Sequence, residues 1–456
     1  MNNNKTIAAV ATPMSAGGIG IIRISGSDAI NVADRVFKAK STKSLSALSG
    51  YSAAYGKVYD EDKVIDEAIA LVFRAPKSYT GEDVVEISCH GGLFVTQRVL
   101  RTVLKNGAQP AEAGEFTKRA FLNGRIDLSK AEAVMNIISA NGEQAANAAV
   151  TALDGALSRD IHEAADRLIS VCANMSAWVD YPDEEIPEIE YPTLAETFNF
   201  VKNKIKKLLD DYDAGRAVIE GVNTAIVGKP NVGKSTLMNL LSGHQRSIVT
   251  PIAGTTRDVV EETVRLGGLV LRLADTAGIH SSSDAVETIG VELAETKLRQ
   301  ADLVFAVFDA SDELSEEDYS ILEKCKGKQT IAIINKTDLE RKIDEEAIKD
   351  SCNLIIEMSA RNSEGCDKLS QAVESLLGTD KIDTSLAMLS TERQRVCCEK
   401  ALRFVEEGLE AINIGMTMDA INVCAEAAVE ALLELTGEKA TNVVVDEIFA
   451  QFCVGK

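Results

Sequence analysis

The chain is short of positive charge. Against 70 aspartates and glutamates it sets 48 lysines and arginines, for a net charge of −22 over 456 residues. That balance argues against tight, nonspecific binding to nucleic acid, which normally takes clustered lysine and arginine. It does not exclude a transient, specific contact, because much of the acid lies in local runs such as Asp180–Glu185 and Ser311–Asp318. Lys202, Lys204, Lys206 and Lys207 form a local basic cluster. It reads either as a solvated helix face or as a patch for an acidic partner. Apolar runs long enough to span a bilayer are also missing. The first five residues are polar and lead straight into a predicted strand, so no secretory leader is expected. The nine cysteines include no C-x-x-C pair and no zinc spacing, which points to reduced thiols and a cytoplasmic location.

The length calls for two to three domains. Residues 6–120 alternate strand and helix signals, with strands predicted at Thr6–Thr12, Ile19–Ser25, Ala68–Phe73 and Val84–Cys89 and a helix over Leu93–Leu104. From Asp127 to about Gly215 the pattern is helical, with Asp127 or Ser129 available as the first cap. Residues 221–378 alternate again, with strands at Thr224–Val227, Leu269–Ala274, Leu303–Phe308, Thr330–Ile334 and Leu354–Met358. That order predicts a parallel, doubly wound sheet, with Gly267–Gly268 turning a hairpin. After about Lys381 the chain is helical again, through Leu402–Ile412, Ala420–Leu435 and Val443–Phe452. The expected plan is an α+β domain over 1–120, a helical domain in two parts (121–218 and 381–456), and a Ras-like P-loop domain over 219–380 inserted into it.

Three motifs in that inserted segment converge on one ligand. Gly228–Ser235 reads G-x-x-x-x-G-K-S, a phosphate loop lying between a predicted strand and a predicted helix. Asn231, Val232, Gly233, Lys234, Ser235 and Thr236 would wrap the phosphates, with Lys234 on the β and γ groups and Ser235 on magnesium. Asp275, followed by Thr276, Ala277 and Gly278, supplies a carboxylate for water-mediated magnesium contact and an N–H facing the γ-phosphate. Asn335, Lys336, Thr337 and Asp338 read guanine, because a carboxylate accepts from both of its N–H donors. Ser359, Ala360 and Arg361 are either a plain loop or backbone donors to the guanine oxygen. Between the first two motifs lie Gly254, Thr255 and Thr256. Thr256 is the candidate to complete the magnesium shell. Together these segments resemble the translation-factor-related small GTPases.

Two departures from the Ras pattern narrow the mechanism. Ile279 follows Gly278 where Ras-like proteins carry a water-orienting glutamine, so that role must fall elsewhere. Asn231 inside the phosphate loop either coordinates a monovalent cation beside the phosphates or only stabilises the turn.

The ends of the chain specify a family. The terminal Phe452–Lys456, Ala11–Pro13 with Gly17–Gly26, Tyr79–Asp83 with His90–Gly92, Gly114–Phe116 through Phe121–Arg125, and Tyr181–Glu185 all resemble the MnmE (TrmE) family of tRNA-modification GTPases, in order and over essentially the whole chain. The resemblance implies an N-terminal dimerisation domain with a site for 5-formyltetrahydrofolate or methylene-tetrahydrofolate, at Arg23, Glu86, Arg125 and Lys456. It implies a potassium site at Asn231, Thr250, Ile252 and Thr255, within a loop of Thr250, Pro251, Ile252 and Ala253 that also borders the nucleotide. It places the water-orienting glutamate at Glu287, which alone would read as a solvated helix-start residue. Cys453 in the terminal motif is either a nucleophile or a structural thiol. Expected partners are a second copy of the chain, an FAD-dependent protein of the MnmG (GidA) family in a heterotetramer, and tRNA, with no membrane. The implied reaction couples GTP hydrolysis to building an aminomethyl or carboxymethylaminomethyl group on carbon 5 of the wobble uridine. Pro251, His280 and Leu293 depart from the family pattern near the potassium loop and switch II. A ribosome-assembly GTPase and a GTP-regulated folate one-carbon transferase are the competing readings. An assembly factor has no need of the folate positions or of the terminal Cys453–Lys456, whereas the folate transferase is opposed by the whole-chain resemblance and not by residue chemistry.

Overall fold

A computed structural model describes residues 5–41, 44–180, 190–244, 262–275 and 296–456. By packing, these fall into two compact units: Met1–Met135 with Val429–Lys456, and Asn136–Ala428.

The first unit is built on a seven-stranded sheet. Its strands are β1 (Ile7–Val10), β2 (Ile19–Ser25), β3 (Phe37–Ala39), β4 (Ser52–Asp60), β5 (Lys63–Phe73), β6 (Val84–His90) and β7 (Gln109–Pro110). They run in the order β3-β4-β5-β6-β2-β1-β7, antiparallel except for the β1–β7 edge pair. The alternation expected of a half-buried sheet is present: Ile22, Ile24, Val85, Ile87, Ala70 and Val72 are fully buried. They join the core of helices Ala29–Val36 and Leu93–Lys105 through residues such as Val32, Val99 and Val103. Arg23 and Glu86, paired directly across β2 and β6, alternate with these residues and so occupy the other face. There Ile7, Ala9 and Phe116 form a smaller buried cluster. The sequence signals for β3, β4 and β7 were too short or too mixed to stand out. The Lys63–Asp66 start of β5 is polar enough to mask its full length.

The second unit holds a six-stranded sheet: β8 (Val222–Val227), β9 (Glu262–Leu266), β10 (Leu269–Asp275), β11 (Leu303–Asp309), β12 (Thr330–Asn335) and β13 (Leu354–Glu357). The order β13-β12-β11-β8-β10-β9 is parallel except for the β9–β10 hairpin, which turns at Gly267–Gly268 as expected. Every residue of β11 and β12 is buried, because helices cover both faces of a parallel sheet. Phe305, Val307, Ile331 and Ile333 enter one core, while Val304, Ala306, Phe308, Ala332 and Ile334 enter the other. Switching β11 by one residue would exchange these sets.

Long helices precede and follow this sheet, including Ala156–Asp180, Tyr191–Asp210 and Glu392–Asn413. Tyr191–Asp210 packs on Glu392–Asn413 through a stripe that includes Phe198, Val201 and Ile205. Its lysines are only partly free. Lys202 pairs with Glu406 at 2.8 Å and Lys204 with Asp160 at 3.0 Å, whereas Lys206 and Lys207 are exposed. In the first unit, Asp127 rather than Ser129 caps helix Leu128–Ser139, accepting from Lys130 N at 2.9 Å. Among the described residues, no helix is long and apolar enough to cross a membrane.

Candidate nucleotide site and a second polar cluster

The ends of β8, β11 and β12 bring the nucleotide motifs to one edge of the sheet, where ligands sit in doubly wound folds. After β8 the chain turns through Gly228–Gly233 into helix Lys234–His244. A Cβ at Gly228 would lie 2.5 Å from Val307 O, and one at Gly233 would lie 2.2 Å from Asn335 Nδ2. Asn231 sits at φ +65 with its side chain exposed, a conformation asparagine tolerates better than most residues. Ser235 and Thr236, in the first turn of the helix, are exposed. The Lys234 ammonium donates to the carbonyls of Gly228 at 2.7 Å and Lys229 at 2.8 Å. Those are two weak acceptors that anionic phosphate oxygens can outcompete. A close backbone turn, a helix N-terminus and an ammonium held within the loop fit a polyphosphate.

Asn335 links this loop to the base-reading side. Its side-chain nitrogen donates to Val232 O at 2.9 Å, and its oxygen accepts from Ala360 N at 3.0 Å. Ser359 donates its hydroxyl to Asp338 Oδ1 at 2.6 Å. That bond, ahead of the charges of Arg361 and Lys336, holds the exposed Asp338 carboxyl below its ordinary range. Asp338 therefore stands as an anion with an oxygen left for a ligand donor. Thr337 and Arg361 are exposed beside it. Lys336, at φ +65, pairs with Asp309 at 2.5 Å.

The structure brings together Asn231, Val232, Gly233, Lys234, Ser235, Thr236, Asn335, Lys336, Thr337, Asp338, Ser359, Ala360 and Arg361. It places Asp275 at the end of β10, opposite Ile226 of β8 in register. Thr250, Pro251, Ile252, Ala253, Gly254, Thr255, Thr256, Thr276, Ala277, Gly278 and Glu287 lie outside the described residues, as do Ile279, His280 and Leu293. Among the described residues no group of three or more His, Cys, Asp or Glu is arranged to cage a metal.

Three charged residues escaped the sequence reading. Asp309 at the end of β11 holds Lys336. Asp312 and Asp318, in the loop and helix that follow, face Lys229 at 3.5 and 3.2 Å. The signal was available. Asp309 ends an apolar strand just as Asp275 and Asn335 do, and the C-terminal ends of these strands form the site.

In the first unit, Arg23 donates to Glu86 Oε1 at 2.8 Å and to the carbonyl of Gly455 at 3.3 Å. Its guanidinium lies over the rings of Tyr79 and Phe116 at 5.5 and 5.6 Å. Gly455, at φ +100, lies so close to β1 that a Cβ would come within 2.3 Å of Val10 O. Burial, with the Arg23 charge adding, pulls the Lys456 ammonium below its ordinary value despite Glu86. Arg23, Glu86 and Lys456 therefore share one cluster. Arg125 donates to Ser78 O at 3.1 Å and lines a cavity with Tyr51, Lys77, Gly81 and Asn123. Cys453 is exposed. By contrast, burial pushes Cys352 and Cys398 up to about 12, and Cys89, Cys172 and Cys325 up to about 11, which keeps those thiols protonated.

Comparison with known proteins extends these observations. Residues 128–453 match the MnmE helical domain model, and residues 6–125 match the model of the GTP-binding protein TrmE N-terminus. The chain is 44% identical to a tRNA modification GTPase MnmE of Clostridioides difficile, over 99% of both chains. It is 41% identical to the protein of the same name from Bacillus subtilis, over 99% of this chain and 100% of that one. Among solved structures, it is similar to Aquifex aeolicus Era bound to GDP and aluminium tetrafluoride. That match has 28% identity and a TM-score of 0.27, and it covers 40% of this chain and 67% of that one.

Proposed function

The chain belongs to the MnmE family of tRNA-modification GTPases, and from that premise we propose a potassium-stimulated GTP hydrolase that works with an FAD-dependent partner to modify carbon 5 of the wobble uridine of certain tRNAs. The observation that carries the nucleotide half is Asn335, which ties the phosphate loop to the base-reading loop. Lys234 neutralises the β and γ phosphates. Ser235 and Thr256 hold magnesium, with Asp275 acting through water. Asp338 reads guanine. Asn231, Thr250, Ile252 and Thr255 hold potassium, which supplies the charge an arginine finger supplies elsewhere. Glu287 orients the attacking water in place of the missing glutamine.

The reading includes an N-terminal domain over 1–120 that dimerises and binds folate, a helical domain over 121–218 and 381–456, and a G domain over 219–380. The Arg23–Glu86–Lys456 cluster supports the folate site: cations for the carboxylates, and an acceptor for pterin N–H groups. Arg125 would extend it with a further cation. The exposed Cys453 thiol is the candidate group at the reaction centre. The cytoplasm, where tRNA is found, is the proposed location.

Mass-spectrometric nucleoside analysis of tRNA from cells lacking the protein, with and without a restored copy, tests this reading. Loss and recovery of the modified wobble uridine is expected, and an unchanged profile would turn the assignment to ribosome assembly. Hydrolysis equally fast in sodium and potassium would remove the potassium site. Modification retained in Cys453→Ser would remove the nucleophile.

A further inference from the structure

Asp318 belongs to none of the motifs that read the nucleotide, yet it packs against the phosphate loop. Its side chain is 2% exposed. Oδ2 accepts from the backbone nitrogen and hydroxyl of Ser315 at 2.9 and 2.7 Å, closing a capping box on helix Glu316–Cys325. The same oxygen lies 3.2 Å from Lys229 Nζ, and Asp312 Oδ2 lies 3.5 Å from that ammonium. Oδ1 is buried with no hydrogen-bond partner. Burying a carboxylate is costly unless a partner of opposite charge compensates it, and the Lys229 ammonium faces this one.

Lys229 is itself the second residue of the phosphate loop. Its carbonyl accepts from Lys234 Nζ at 2.8 Å. The contacts therefore run from a helix cap, through Asp318 and Lys229, to the lysine that meets the phosphates. The next two loop residues, Pro230 and Asn231, are exposed, so the Lys229 side chain anchors the first turn of the loop, while Val232 and its bond from Asn335 hold the far end.

We propose that Asp318 is a positioning residue for guanine-nucleotide binding: through the Lys229 side chain it fixes the first turn of the phosphate loop, and with it Lys234. This rests on the GTPase reading above. A pre-ordered loop binds without first losing conformational freedom, so the anchor acts on affinity.

The test is calorimetric GDP binding to the full-length, nucleotide-free chain. Asp318→Asn keeps an acceptor for the Ser315 cap and removes only the charge facing Lys229. It should weaken GDP binding about three- to tenfold, the size of one partly buried pair. Lys229→Met should do the same, Lys229→Arg should keep wild-type affinity, and the double variant Asp318→Asn/Lys229→Met should bind no worse than either single one. A role confined to the helix cap would lower the melting temperature and leave GDP affinity unmoved. Wild-type affinity in Asp318→Asn, or effects that multiply in the double variant, would overturn the proposal. Should Asp318→Asn fail to fold, the Lys229 pair decides: an arginine that binds no better than methionine also overturns it. A wild-type chain that binds no guanine nucleotide would overturn the GTPase reading and this role with it.

Discussion

Asn335 donates its side-chain amide to the carbonyl of Val232 at 2.9 Å, across 103 residues of sequence. The same side chain accepts from Ala360 N at 3.0 Å and is 3% exposed. One buried amide therefore joins the loops that would hold the phosphates and the base. A backbone group of each loop is satisfied by this one side chain, so Asn335 is what makes them one site.

Asn335→Ala should therefore cost more than an ordinary polar truncation. It strands a buried carbonyl at Val232 and a buried N–H at Ala360, together worth about 2–4 kcal/mol. The expected outcome is a lower midpoint in urea unfolding along with weaker GDP binding. Full stability with lost binding would mean that the linkage is purely a ligand contact.

Asp338→Asn should change which base is accepted. The carboxylate accepts from two guanine donors, whereas an asparagine offers one acceptor and one donor. Xanthine presents a carbonyl where guanine has its amino group. GTP affinity should fall by about 10²-fold, and xanthosine triphosphate should become the better ligand. Competition binding with the two nucleotides checks this. Ser359 can still donate to the asparagine oxygen, so the loop itself should hold.

Gly455→Ala should detach the last residues from the first unit. The position has φ +100, and a Cβ would meet Val10 O at 2.3 Å, so no small shift relieves it. Arg23 then loses the Gly455 carbonyl, and Lys456 leaves the cluster. Loss of 5-formyltetrahydrofolate binding in equilibrium dialysis, with GTP hydrolysis unchanged, is the expected result. Folate binding at the wild-type level would take Lys456 out of the site.

The legible parts of this chain were those where one residue type serves one local purpose. Gly228, Gly233, Lys234 and Asp338 announce themselves because a tight turn, a phosphate or a guanine edge admits few alternatives. The strands of the second sheet were legible because burial on both faces makes them continuous apolar runs, as in Leu303–Phe308. What could not be read is cross-chain pairing between ordinary charged residues. Lys229 and Asp318 are 89 positions apart and look like surface charges, as do Arg23 and Glu86 without their family. The stretch Ser311–Asp318 stood out only as a local run of acid, yet the fold turns Asp318 inward, because the strand order sets that stretch beside the phosphate loop.

Asp309 gives the site a pH signature. Burial opposes its charge, but the Lys336 ammonium and two bonds from Ser311 outweigh that and hold the carboxyl below its usual range in the folded chain. A depressed folded-state value means that the ionised form favours folding. The contribution is fully present above the unfolded value of about 4 and is lost as pH falls through the folded one. Asp309→Asn keeps an oxygen for Ser311 but cannot carry the charge. The wild type should therefore melt above the variant at neutral pH, and the gap should close progressively as pH drops below about 4. Paired thermal melts across that range measure it. A gap that stays constant down to about pH 3 would mean that the Asp309–Lys336 contact contributes through packing rather than charge.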